Sequence, residues 1–132
     1  MINSIHIILI SIISLIITRL VKLIIDISKG KNQEKNIFKD GGMPSCHASL
    51  VFGLIAGIFF IEGLTSVFAV ALIFGLIVIH DAMSIRRQVG YHAEFLNKGK
   101  KQFKENTGQK PIEILVGVLI GIIVAFIYSG LM

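Results

Sequence analysis

Charge is scarce in this chain. Of 132 residues only 16% are Asp, Glu, Lys or Arg, where soluble domains carry roughly 25%. Hydrophobic residues make up 54%, and the mean hydropathy is +0.81. The excess is concentrated in long Ile/Leu/Val/Phe runs instead of recurring at periods of 3.6 or 2. That excludes an ordinary soluble core and points to helices that face lipid. Cysteine is nearly absent: Cys46 stands alone, so no intramolecular disulfide can form. Aromatic residues are few and do not interleave with the basic ones on a strand pattern. The net charge of +5 therefore does not mark a nucleic-acid surface. It suits anionic lipid or an anionic substrate instead. Residues 1–17 hold no Lys or Arg, and no small-residue cleavage pattern follows them. The pattern predicts a retained membrane helix rather than a cleaved secretory leader. The length fits one domain, 1–132, with no internal repeat.

The apolar runs predict an all-α integral membrane bundle of about four transmembrane helices, with spans near 5–27, 45–61, 65–80 and 111–131. A single helix over 48–79 would be ~48 Å long, too long for a ~30 Å hydrocarbon core. Glu62-Gly63 supplies a tight hairpin that divides it. Residues 28–43 and 81–110 are polar connections. In the second, Ile85, Val89, His92 (or Ala93) and Leu96 recur at helical spacing, which predicts a cytoplasmic amphipathic helix at the membrane interface. The basic tract Lys98, Lys100, Lys101 and Lys104 follows it. All 13 Lys and Arg residues fall within 19–39 or 86–110. With four spans these tracts share one side, which the positive-inside rule makes cytoplasmic and which puts both termini outside a cell membrane. Gly53-xxx-Gly57 and Gly117-xxx-Gly121 allow close helix approach, either inside one molecule or across a homodimer.

Three polar segments at that face could carry chemistry. In Gly41-Gly42-Met43-Pro44-Ser45-Cys46-His47, Ser45 is placed to cap a helix whose free N–H groups favour an anion. His47 then stands in the first turn, within reach of a bound oxyanion. In His80-Asp81-Ala82-Met83-Ser84-Ile85-Arg86-Arg87, two guanidinium groups suit phosphate oxygens. Asp81, at the end of an apolar run, needs a partner, for which an arginine is the natural choice. The third segment is Gly108-Gln109-Lys110-Pro111-Ile112-Glu113, where Pro111 fits a first helical turn. In the first span, Arg19, Lys22 and Asp26 share a face. Lys22 either reaches the headgroups or turns inward toward a site.

The blocks GGMPSCHAS, DAMSIRRQVGYHAEFLN and GQKPIEILVGVLIG, in this order, resemble the divergent branch of the type 2 phosphatidic acid phosphatase superfamily, also described as acid phosphatase/vanadium-dependent haloperoxidase-related. The resemblance implies a membrane phosphatase acting on lipid phosphates without metal or other cofactor. It implies that Ser45 holds phosphate oxygens, that His47 is the general acid, and that Lys22, Arg86 and Arg87 bind phosphate. Gly42, Pro44, Asp81 and Asn97 support these blocks. One departure is decisive for activity. The family's third block carries a nucleophilic histidine where this chain has Gln109, and a carboxamide cannot attack phosphorus in its place. Glu113, which in the family orients that histidine, is retained. His92, or His80, is the candidate substitute. The expectation is a phosphatase-like protein that binds a phosphate or a lipid phosphate at the cytoplasmic face. The alternative is a non-catalytic membrane protein binding anionic lipid or a partner.

Overall fold

The computed structural model describes residues 2–30, 43–98 and 108–132. Gly42, most of the 28–43 connection and the lysines at 100, 101 and 104 lie outside these residues. The described chain is helical: α1 (Ile2–Ser28), α2 (Cys46–Glu62), α3 (Ser66–Met83), α4 (Ile85–Leu96) and α5 (Pro111–Leu131).

Local chemistry sets the helix ends. The Ser45 hydroxyl accepts the Ala48 N–H at 3.2 Å and starts α2. Gly63, at φ +77°, ends α2 in a conformation that suits glycine. Its N–H bonds the Phe59 carbonyl at 3.0 Å. Two residues later the Thr65 hydroxyl accepts the Phe68 N–H and starts α3, so the hairpin at Glu62-Gly63 is real. Pro111 opens α5, and the Glu113 carboxylate turns back to accept the Lys110 N–H at 3.0 Å.

α2 is the centre of the bundle and packs against α1, α3 and α5. Its 17 residues rise only ~26 Å. α1, α5 and the α3–α4 run are long and apolar enough to cross a membrane, whereas α2 is shorter than a full span. Three small apolar clusters fix its surroundings. Val51, Ile55 and Ile58 meet Ile7 and Ala71; Ala56 meets Ile10 and Ala125; Ala48 meets Ala82 and Ile114. α1 and α3 run antiparallel to α2, while α5 runs parallel to it. Ser28, Ser45, Met83 and Pro111 therefore gather at one end.

The glycine pairs are used inside the molecule. A Cβ on Gly53 would stand 2.6 Å from the Ser14 hydroxyl, and one on Gly121 would stand 2.7 Å from the Gly53 nitrogen and the Ser49 carbonyl. A Cβ on Gly117 would strike the Ser45 carbonyl and stand 3.1 Å from Ala48 Cβ. These faces are filled by the chain's own helices, so they give no ground for a dimer.

α4 forms where expected, and the row that its periodicity marks faces outward, away from the bundle. Gly90 and Ala93 are buried, and Arg86 and Asn97 are partly so. Ile85, Val89, His92 and Leu96 are exposed. Among helices in lipid, small residues mark the contact face and bulky apolar ones the outward face.

Candidate functional site

At the end where Ser45 and Pro111 lie, α2 and α5 are joined by main chain and side chain. The Ser45 N–H donates to the Glu113 carbonyl at 2.9 Å. The Ser45 hydroxyl donates to Gln109 Oε1 at 2.5 Å. Ser45 is fully buried and Gln109 is 8% exposed. Gln109 is held from behind as well: its N–H bonds the Ala82 carbonyl at 3.2 Å. That carbonyl sits in the last turn of α3, where carbonyls lack helical partners. Gly108 makes the approach possible, since a Cβ there would stand 2.7 Å from the Arg87 nitrogen and 2.8 Å from the Ala82 oxygen.

His47 and Arg86 meet beside this junction. Arg86 Nη1 lies 3.5 Å from His47 Nε2, and Arg86 Nε donates to Asp81 Oδ2 at 2.8 Å. The expected arginine partner for Asp81 is therefore Arg86. A guanidinium only donates, so the facing imidazole nitrogen must be the acceptor of this contact. Asp81 holds Arg86 by one edge and leaves its far nitrogen turned toward His47.

Lys22 belongs to the same end. α1 and α2 cross with Ile10 against Gly57 and Ser14 against Gly53. Thr18 bonds the Ser49 hydroxyl at 2.6 Å. One turn further along α1, on the same face, stands the half-buried Lys22. One turn back along α2 is Ser45. Lys22 therefore continues the row of α1 residues that faces α2.

A family model described as the divergent PAP2 family matches residues 3–124. The chain belongs to the divergent PAP2 family. The uncharacterized membrane protein YuiD of Bacillus subtilis (strain 168) is 33% identical over 112 residues, covering 67% of this chain and 71% of YuiD. The aligned part of this chain is shorter than the alignment, so YuiD has residues there without a counterpart. No solved structure matches the chain.

Other residues singled out from the divergent PAP2 resemblance lie apart from the His47–Arg86 contact. Arg87 points elsewhere than Arg86: its Nε donates to the Tyr91 hydroxyl at 3.2 Å, with the guanidinium carbon 5.9 Å from that ring's centre. His92 is exposed on the row Ile85–Val89–Leu96, a different side of α4 from Arg86. His80 is exposed, 3.5 Å from the Ser84 hydroxyl. Glu113 does not wait for a histidine to orient; its carboxylate caps its own helix. Asn97 ends α4, its N–H on the Ala93 carbonyl. Pro44 is fully buried against the start of α2. Among the described residues no group of His, Cys, Asp and Glu is arranged to hold a metal ion.

The sequence reading passed over a polar seam behind the site. The Ser49 hydroxyl donates to the Ser14 carbonyl at 3.0 Å, and Thr18 Oγ1 lies 2.6 Å from Ser49 Oγ. All three residues are buried. The signal was present, as Ser14/Thr18 and Ser45/Ser49 at i, i+4, which places each pair on one helical face.

Proposed function

We propose that this divergent PAP2 chain binds a phosphate group, carried by a membrane lipid, at the end of the bundle where α2 and α5 begin. We further propose that it does not hydrolyse that phosphate by its family's histidine route. The observation that carries the reading is the 3.5 Å approach of Arg86 on α4 to His47 on α2, with the hairpin and α3 between them in the chain. A guanidinium held beside an imidazole, at the start of a helix with no acid in its first turn, is an arrangement an anion stabilises. Lys22 adds a further cation from α1. The positive-inside pattern assigns this end to the cytoplasm.

In this reading Arg86 takes the phosphate oxygens and the first N–H groups of α2 support them. His47 donates a hydrogen bond once the anion stands between it and Arg86. Hydrolysis lacks its attacking group. Gln109 is neutral, its oxygen already accepts the Ser45 hydroxyl, and it forms no phosphoryl intermediate. The Ser45 hydrogen is spent on Gln109, so Ser45 contributes position more than a bond to phosphate.

Phosphate release by purified protein from short-chain phosphatidic acid and an isoprenyl pyrophosphate, with His47→Ala and Gln109→His alongside, tests the chemistry. We expect silence from the parent and from His47→Ala, and release only from Gln109→His. Release by the parent that His47→Ala abolishes would make it a working phosphatase. Binding is tested with dioctanoyl phosphatidic acid against the matching diacylglycerol. The parent should prefer the phosphate, and Arg86→Gln should lose about tenfold or more of that preference, as expected for a charge-assisted bond. Equal retention of both lipids by the parent would sink the site.

A further inference from the structure

α4 carries an exposed face that the phosphate site does not use. At 100° per residue its packed side is Arg86, Gly90, Ala93 and Asn97. Round from that side runs an exposed arc of Val89, Leu96, Ile85, His92, Gln88, Phe95 and Tyr91. Ile85 and Val89 are each 58% exposed, Leu96 60% and Phe95 68%. The arc ends at two cations. Arg87 lies against Tyr91, and the Lys98 ammonium stands 4.9 Å above the Phe95 ring. Glu94 sits beyond them, between the cations and the packed side. Arg86 is already held by Asp81, so Arg87 and Lys98 are the charges this face offers.

Three adjacent large apolar side chains, Val89, Leu96 and Ile85, with Phe95 further round the same side, would not stay in water, where each buried Å² is worth on the order of 25 cal/mol. The position of α4 says what covers them. Ser84 alone separates it from α3, whose run is one of those long and apolar enough to cross a membrane. The helix therefore starts at the bilayer boundary. Aromatic rings between an apolar row and a cationic edge match the profile of that boundary on an anionic leaflet.

We propose that α4 is seated on the anionic surface of the membrane the bundle crosses. Ile85, Val89, Leu96 and Phe95 lie at the level where headgroups give way to acyl chains, with Arg87 and Lys98 against lipid phosphates. This does not depend on the phosphate-binding reading. It uses the opposite side of α4 from Arg86, and either can stand without the other.

The chain has no tryptophan, so one introduced residue reports alone. The full-length chain with Phe95→Trp is reconstituted in vesicles of phosphatidylcholine with phosphatidylglycerol, and in phosphatidylcholine alone; Glu94→Trp is the comparison. In the mixed vesicles Phe95→Trp should emit blue-shifted light, be quenched by lipids brominated high on the acyl chain, and resist aqueous iodide. Glu94→Trp should show the reverse order. Replacing Arg87 and Lys98 by Gln should lower the seated-to-lifted ratio about fivefold for each cation. If iodide quenches both tryptophans equally and brominated lipid quenches neither, the proposal fails. The same holds if Phe95→Trp shifts only on addition of a soluble protein, which would make α4 a protein-docking helix. Equal quenching in the two vesicle types would overturn the assignment to anionic lipid.

Discussion

Ser45 carries three jobs at one position. Its hydroxyl caps α2 and bonds Gln109, while its N–H ties α2 to the start of α5. Ser45→Ala removes both hydroxyl contacts and leaves the buried Gln109 oxygen without its donor. We expect a loss of about 1–3 kcal/mol, read as a lower unfolding midpoint in detergent. Glycines give a sharper contrast. Gly121→Ala would drive a methyl group into the Gly53 nitrogen and the Ser49 carbonyl, whereas Gly130, in the last turn of α5, has nothing within 4 Å of an added Cβ. The first should cost about 1–3 kcal/mol by overpacking, and the second should be neutral or slightly stabilising. Comparable midpoints for both variants would contradict the close α2–α5 crossing. What the sequence reveals at this scale is what is local. Ser45 as a cap, Pro111 in the first turn and Asp81 with an arginine five residues on are all short-range relations. Gln109 on Ser45 spans 64 residues and leaves no trace in spacing. The resemblance marks Gln109 as the position where a histidine is expected, but nothing in the spacing ties that position to the helix cap.

The helices are placed by patterns of more than one kind. α1, α3 and α5 are legible as apolar runs, and the Glu62-Gly63 hairpin follows from length alone. α4 is legible as a helix from its periodicity, which marks its outward row, while the face packed on the bundle is the one with Gly90 and Ala93. In a soluble protein the bulky apolar row would be buried. Here Gly90 and Ala93 are inward, where small side chains let helix backbones approach closely. The α1–α2 pair shows the same rule with hydroxyl groups. Ser11, Ser14 and Thr18 read as interruptions of an apolar run, but they are buried and bonded. Thr18→Val should cost about 0.6 kcal/mol, and not more than roughly 2, since hydroxyl bonds between helices in lipid are modest. Unfolding of the variant in mixed micelles measures it. A larger loss would mean that the seam carries more of the α1–α2 contact than its hydrogen bonds explain.

For the whole molecule, family membership and the helical bundle agree with the sequence reading, while orientation rests on charge alone. It is testable without a structure, because the one native thiol, Cys46, is buried. Glu62→Cys and Lys98→Cys lie at opposite ends of the bundle. An impermeant maleimide applied to intact cells should label the first at once and the second only after permeabilisation; the reverse pattern would turn the molecule over and move His47 and Arg86 outside. The placement of α2 has a consequence of its own. Lipids hardly touch a helix wrapped by three others, so α2 has little bilayer thickness to match. Its length answers to two fixed points inside the protein: the hairpin at Glu62-Gly63 and the junction of Ser45 with Gln109. Adding one turn to α2 would leave the molecule's fit to its membrane almost unchanged, while lifting His47 by about 5.4 Å and carrying it out of reach of Arg86.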